Sequence, residues 1–181
     1  MNKPSFVISC PINTYSGYGA RSRDVVKALI ELDKYDVKVI PQRWGNTPQG
    51  FIKDNPEWEF LNKYLTSGQL NQQPDIFAQI TVPNEFQKIG KYNIGITAGI
   101  ESTIAPAEWV EGCGRMDLVL GSSKHTIDVL KSSKFEKRDK NTNQVVGAVE
   151  WLGKSEVLFE GANTEVYKPL KSDFKLDIKE D

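Results

Sequence analysis

Cysteine and histidine are nearly missing from this sequence. The two cysteines, Cys10 and Cys113, in 181 residues are too few for a disulfide framework and fit a reducing cytoplasm. Neither stands at a metal-ligand spacing, and His125 is the only histidine, so the chain offers no ligand set for a protein-built zinc site. An excess of charge is missing too: 23 basic residues face 24 acidic ones, a formal net charge of −1. Phosphate neutralisation needs a basic face, and none stands out, so a nucleic-acid partner is not expected. No apolar run approaches the length of about 20 residues that spans a bilayer. The start "MNKPSFVISCPINTY" has one Lys before a short apolar run that a Pro soon ends, which is too little for a signal peptide. There is no internal repeat and no low-complexity tract. These absences read together as a soluble cytoplasmic protein without a transmembrane segment. A chain of about 150 residues buries roughly 68–70% of its unfolded surface, so a real core is available without staples.

What the chain does have is a glycine-rich turn very early, in "NTYSGYGARSRDVVKAL", Asn13 to Leu29. Glycines there allow positive φ between a strand and a helix. They also clear side chains from a helix N-terminus, where peptide N–H groups and the macrodipole favour a negative ligand. From the turn alone both readings stand.

Around that turn the pattern is of strands alternating with helices. "SFVISC" has strand length. After the glycines, Val25, Val26, Leu29, Ile30 and Leu32 share one helical face, while Arg21, Arg23, Lys27 and Glu31 take the other. "YDVKVIP" is a second strand, which makes a βαβ unit with parallel strands. Residues 42–55 read as an irregular loop. Asn55 as N-cap and Pro56 at the first helical position then predict a helix through Trp58, Leu61 and Leu65, closed by Gly68. "PDIFAQIT", "YNIGITAG" and "RMDLVLGSS" are three more apolar strands. The last leads into a helix over "KHTIDVLKSS" capped by Ser122 or Ser123. The charged "KFEKRDKNTNQ" reads as a solvated loop and "SEVLFEG" as a final strand. The expected fold is α/β, a Rossmann-like domain with a mainly parallel sheet of about six strands and helices on both faces. It should occupy residues 1–169. Residues 170–181, charged and following Pro169, are expected to form a tail or the start of an inter-domain linker.

Three segments together resemble the glycosyltransferases built from two facing Rossmann-like domains (the GT-B type), in particular those of family 4 style. "SGYGARSRDVVKAL" is similar to the glycine loop and first helix of their N-terminal domain. "GIESTIAPAEWVEGCGRMDLVLGSSKHTIDVL" is similar to their acidic residue after the fourth strand, a Pro and Trp, an apolar strand ending in Ser, and a helix. "VLFEGANTEVYKP" resembles their strand-to-linker signature, with Asn163 where the family often shows Asp.

The resemblance implies a cleft role for Gly17, Tyr18 and Gly19, near the donor diphosphate and the acceptor. It puts Glu101 at the family's acidic position, where a carboxylate orients an acceptor hydroxyl or acts as a base; a solvated or capping Glu is the alternative. Ser122 and Ser123 would lie on the same rim, although capping also accounts for them. His125 reaches the rim from the helix's first turn or is simply exposed. The implied function is the acceptor-side half of an enzyme moving a sugar from a nucleotide-sugar to an unknown acceptor. The basic residues on the diphosphate and the paired glutamates on the donor sugar belong to a C-terminal domain outside this sequence, so the chain alone is expected to be inactive. No cofactor and no obligatory metal are expected, in keeping with the lack of a DxD-type pair. The alternatives are a binding or assembly module that kept the fold and lost catalysis, and a dinucleotide oxidoreductase. The last fits poorly, because Ser22 stands at the third glycine position and the second strand ends "VIPQR" with no acidic residue for a ribose.

Overall fold

The computed structural model describes residues 3–139 and 141–169; the expected tail at 170–181 lies outside the described residues. Strands β1 (Ser5–Cys10), β2 (Asp36–Pro41), β3 (Ile76–Ile80), β4 (Tyr92–Thr97), β5 (Leu118–Gly121) and β8 (Ser155–Val157) form one sheet in the order β2-β1-β3-β4-β5-β8. Every neighbouring pair is parallel. The fold is therefore the expected Rossmann-like α/β sheet. Its strand order changes direction between β1 and β3, since β2 is added on one side and all later strands on the other.

Strand alternation sends side chains to two separate cores. Phe6, Ile8 and Cys10 of β1 join Val37 and Val39 of β2, Ala78 and Ile80 of β3 and Ile96 of β4 in one cluster, closed by Val26 of helix α1 (Gly17–Glu31). Val119 of β5 points the other way, into a cluster with Phe86, Trp151, Val110 and Cys113 of α3 (Ala107–Cys113), and Val129 and Leu130 of α4 (Lys124–Ser132). Helices thus cover both faces. Desolvation by burial pushes the thiols of Cys10 and Cys113 each up to about 12, outweighing the opposing pull of the Arg23 and Arg115 charges.

Several local expectations change. Gly17 and Gly19 do not form a turn ahead of α1; they are in its first turn, and neither has positive φ among the described residues. The cap is Ser16, whose hydroxyl accepts from the Gly19 N–H at 2.9 Å. Arg23, assigned to the solvent face of α1, is buried, 4% exposed. The loop 42–55 contains a short helix, α2 (Phe51–Asp54). Asn55 does not cap the next helix with its side chain: its Nδ2 donates to Phe51 O at 2.7 Å, and Pro56–Tyr64 winds as a 3-10 helix. Leu65 is already extended and bridges Val39, so the helix ends before the expected Gly68. The segment expected to be a solvated loop, 134–144, holds β6 (Phe135–Arg138) and the turn of an antiparallel β-hairpin, whose second strand β7 (Val145–Val149) follows it. Its turn is held by Asp139 Oδ1, which accepts from Asn141 N, Thr142 N and Thr142 Oγ1. Helix α3 was not expected from the sequence.

At the opposite edge from the strand C-termini, Asp75 ties three strands together. Its Oδ2 accepts from Ser5 N at 2.9 Å and Ser5 Oγ at 3.0 Å, and its Oδ1 from Lys91 Nζ at 2.7 Å. The Lys91 ammonium, then the two Ser5 donors, hold the carboxyl down from its ordinary 3.8 to about 2. A depressed folded pKa means that the unfolded chain binds the proton more readily between these values. The stabilisation is therefore complete above pH 3.8 and lost as pH falls towards 2. Asp75→Asn should be less stable than the parent at neutral pH, with the gap closing over that window in urea titrations. A gap that stays constant from pH 6 down to about 2 would overturn this account.

Candidate functional site

A pocket of about 160 Å³ opens where the C-terminal ends of β3, β4 and β5 meet the first turns of α1. This is the edge, next to the change of strand direction at β1 and β3, at which open α/β sheets bind ligands. Ile80 and Ile96 give it apolar walls, Tyr18, Thr97 and Ser122 bring hydroxyls, and Arg21 and Glu160 are the charged residues lining it.

Each wall has a local cause. The start of α1 is aimed by a chain of hydrogen bonds: Gly19 N–H to Ser16 Oγ, Ser16 to Thr14 Oγ1 at 2.8 Å, and Thr14 Oγ1 to Pro11 O at 2.9 Å. Beneath it the Arg23 guanidinium donates to the carbonyls of Ile12 and Thr14, both at 2.9 Å, and lies 3.4 Å above the Phe51 ring. The loop from Pro11 to Ser16 is thereby fixed from both sides, and Tyr18 leaves it in one direction. Its ring stacks on Trp44, from the loop after β2, at 4.1 Å and 22°.

The Tyr18 hydroxyl sits 3.1 Å from Thr97 Oγ1 at the end of β4 and accepts from Ala98 N, also at 3.1 Å. On the other side of Ala98, its carbonyl accepts from Ser122 Oγ at 2.7 Å and Thr126 Oγ1 at 2.8 Å. Gly99, at φ +90°, turns the chain away against Thr126, a conformation that suits glycine. Arg21 donates to Phe159 O at 2.9 Å and to Leu158 O. This brings the chain after β8 across α1 and sets Glu160 into the lining.

Of the residues singled out from sequence, Gly17, Tyr18 and Ser122 line this pocket. Gly17 is exposed, with nothing among the described residues within 4 Å of where a Cβ would be. Gly19 is buried against Thr14 and Pro11 and contributes backbone only. Ser123 caps α4, accepting from Thr126 N at 3.1 Å. His125 is exposed in the first turn of α4, and Glu101 is exposed in the turn after β4; neither is among the pocket's lining residues. Sequence reasoning missed Arg21, Trp44, Ile80, Ile96, Thr97 and Glu160. Thr97 and Ile96 end a strand that was recognised, and strand C-termini were the place to look. Glu160 falls inside the quoted "VLFEGANTEVYKP", while Trp44 sits in a loop that carried no periodic signal.

Among the described residues no three His, Cys, Asp or Glu side chains gather closely enough to hold a metal ion. No helix among them is long and apolar enough to cross a membrane. The class of protein defined by sheet and pocket is thus a Rossmann-like α/β domain with a small, mixed apolar and hydroxyl-lined site at the strand C-termini. No family model, curated protein or solved structure matches the chain.

Proposed function

We propose that the chain is the N-terminal, acceptor-side domain of a cytoplasmic GT-B type glycosyltransferase, whose donor-binding half lies outside these 181 residues. The observation that carries this reading is the pocket at the C-terminal edge of a parallel sheet, lined by Gly17, Tyr18 and Ser122 from two of the segments that resemble the family. In the transfer, the acceptor oxygen bonds to the anomeric carbon of the nucleotide-sugar. The bond from that carbon to the diphosphate oxygen breaks, and the diphosphate leaves with the electron pair. The acceptor's proton passes to a carboxylate or to the leaving diphosphate. Glu101 remains the carboxylate proposed by resemblance, and Glu160 is the carboxylate that lines the pocket. With opposite charges on Arg21 and Glu160, the pocket suits a neutral sugar better than a diphosphate.

Amide chemical-shift mapping of the chain checks this with two panels, simple monosaccharides and diphosphate sugars of uridine, guanosine and adenosine. Expected are weak monosaccharide shifts centred on Tyr18, Trp44, Thr97 and Ser122, and no nucleotide-sugar binding tighter than about millimolar, roughly 4 kcal/mol. Micromolar binding of a nucleotide-sugar, or monosaccharide panels that leave all four residues unmoved, would remove the acceptor-side assignment.

A further inference from the structure

We infer that this pocket grips one uncharged ring through a single hydroxyl group, which accepts a hydrogen bond from the Tyr18–Thr97 pair and donates one to Ser122 Oγ. The inference follows from counting protons. Tyr18 and Thr97 bring two hydroxyl protons to one oxygen–oxygen contact of 3.1 Å, which uses one of them. Backbone N–H groups donate to both oxygens, Ala98 N to Tyr18 and Gly99 N to Thr97 at 3.3 Å. Neither hydroxyl has another acceptor among the described residues. Whichever way the pair is oriented, one proton is left over, and both residues line the pocket. On Thr97, only 2% exposed, that proton is cut off from bulk water except through the pocket, where a missing partner is costly; on Tyr18, which is half-buried, it belongs to a side chain that lines the same pocket.

Ser122 has the opposite polarity. Its proton is committed to the Ala98 carbonyl, which Thr126 also occupies, so towards the pocket Ser122 offers lone pairs only. Donor and acceptor flank the same residue, Ala98, and an alcohol is the neutral group that answers both from one atom. The walls of Ile80 and Ile96 and a volume of about 160 Å³ set the rest: a cavity of about 150 Å³ holds one six-membered ring. Naming this hydroxyl as the one that receives the sugar rests on the function proposed above; the polarity of the pocket does not.

Cyclohexanol and cyclohexanone separate the two contacts, because the ketone accepts and cannot donate. In ligand-observed NMR titrations of the full chain, cyclohexanol should bind at least about threefold tighter than cyclohexanone, the worth of one modest hydrogen bond. Ser122→Ala should erase that preference. Tyr18→Phe and Thr97→Val should each keep alcohol binding within about threefold, because either hydroxyl alone still has a free proton. The double variant should lose about tenfold for both probes. Equal binding of alcohol and ketone to the parent overturns the proposal, as does no binding of either probe, or a single variant as damaging as the double. Thermal melts accompany each variant, and if the double variant does not fold, Ser122→Ala decides. Loss of these probes with monosaccharide shifts intact would sink the polarity argument and leave the glycosyltransferase reading standing.

Discussion

Gly19→Ala is expected to destabilise the domain by about 3 kcal/mol, whereas Gly17→Ala, two residues away in the same helical turn, should change stability by less than about 0.5 kcal/mol. The backbone of Gly19 sits directly on the loop below it. A Cβ there would press on the Thr14 carbonyl oxygen, lie 2.6 Å from Thr14 Oγ1 and 3.1 Å from Pro11 O. Backbone oxygens cannot swing aside as a flexible side chain can, and these are held by the Arg23 guanidinium and by the Ser16–Thr14 chain of hydrogen bonds. Relief requires moving the cap of α1 or the loop, and either leaves buried polar groups unmatched. At Gly17 an added Cβ would meet nothing within 4 Å among the described residues and φ is ordinary, so alanine fits and gains helix propensity.

Urea denaturation of both variants is the measurement; equal losses would show that the loop yields. A bulkier Gly17→Trp should keep the fold and obstruct the pocket mouth, visible as lost cyclohexanol binding at unchanged melting temperature. Of the two readings that the sequence leaves open, positive φ applies to neither glycine; an open approach would then belong to Gly17, while Gly19 is required for close packing, which the sequence does not suggest.

The sheet was legible because its strands are short apolar runs bounded by turn residues, and parallel strands buried on both faces carry that signature. "SFVISC" and "PDIFAQIT" contain β1 and β3 with few residues to spare. Strand β6 was not legible, since Glu136, Lys137 and Arg138 are charged and exposed on it and no alternation survives to mark a strand; β7, "VVGAV", is a short apolar run that sequence reasoning passed over. Helix α3 is seven residues long, under two helical turns, too short to show a period. The 3-10 course of Pro56–Tyr64 arises from tertiary demands: Leu61 must be buried in the first core while Leu65 joins the edge of β2. At the site, residues on the glycine segment and the Ser-ended strand could be found from local chemistry. The position of Thr97 at a strand C-terminus was also legible, but its pairing with Tyr18, 79 residues away, was not, nor was the stacking of Trp44 on the same ring.

Arg23 shows the same limit, with an expected energetic consequence as large as that at Gly19. By position it alternates with Lys27 and reads as one more charge on the solvent side of α1, yet it is a cation held under the helix by two carbonyl oxygens and an aromatic ring. Burial lowers its pKa below the usual arginine range, and a delocalised, weakly hydrated guanidinium tolerates such a place better than an ammonium. Arg23→Met keeps the apolar stem and strands the Ile12 and Thr14 carbonyls. At roughly 1–3 kcal/mol for an unmatched buried group, offset by the relief of burying no charge, the net loss should be about 3 kcal/mol. In a chain of this size that lowers the melting temperature by roughly 6–12 °C. Arg23→Lys should recover less than half of the loss, because an ammonium cannot lie flat over Phe51 while donating to both oxygens. The effect should also reach the pocket: Thr14 and Ser16 aim the first turn of α1, so Arg23→Met should weaken cyclohexanol binding at temperatures where the variant is still fully folded. If both variants melt within about 2 °C of the parent, the loop from Pro11 to Ser16 holds its shape without the guanidinium, and Tyr18 owes its direction to Trp44 and Ala98 alone.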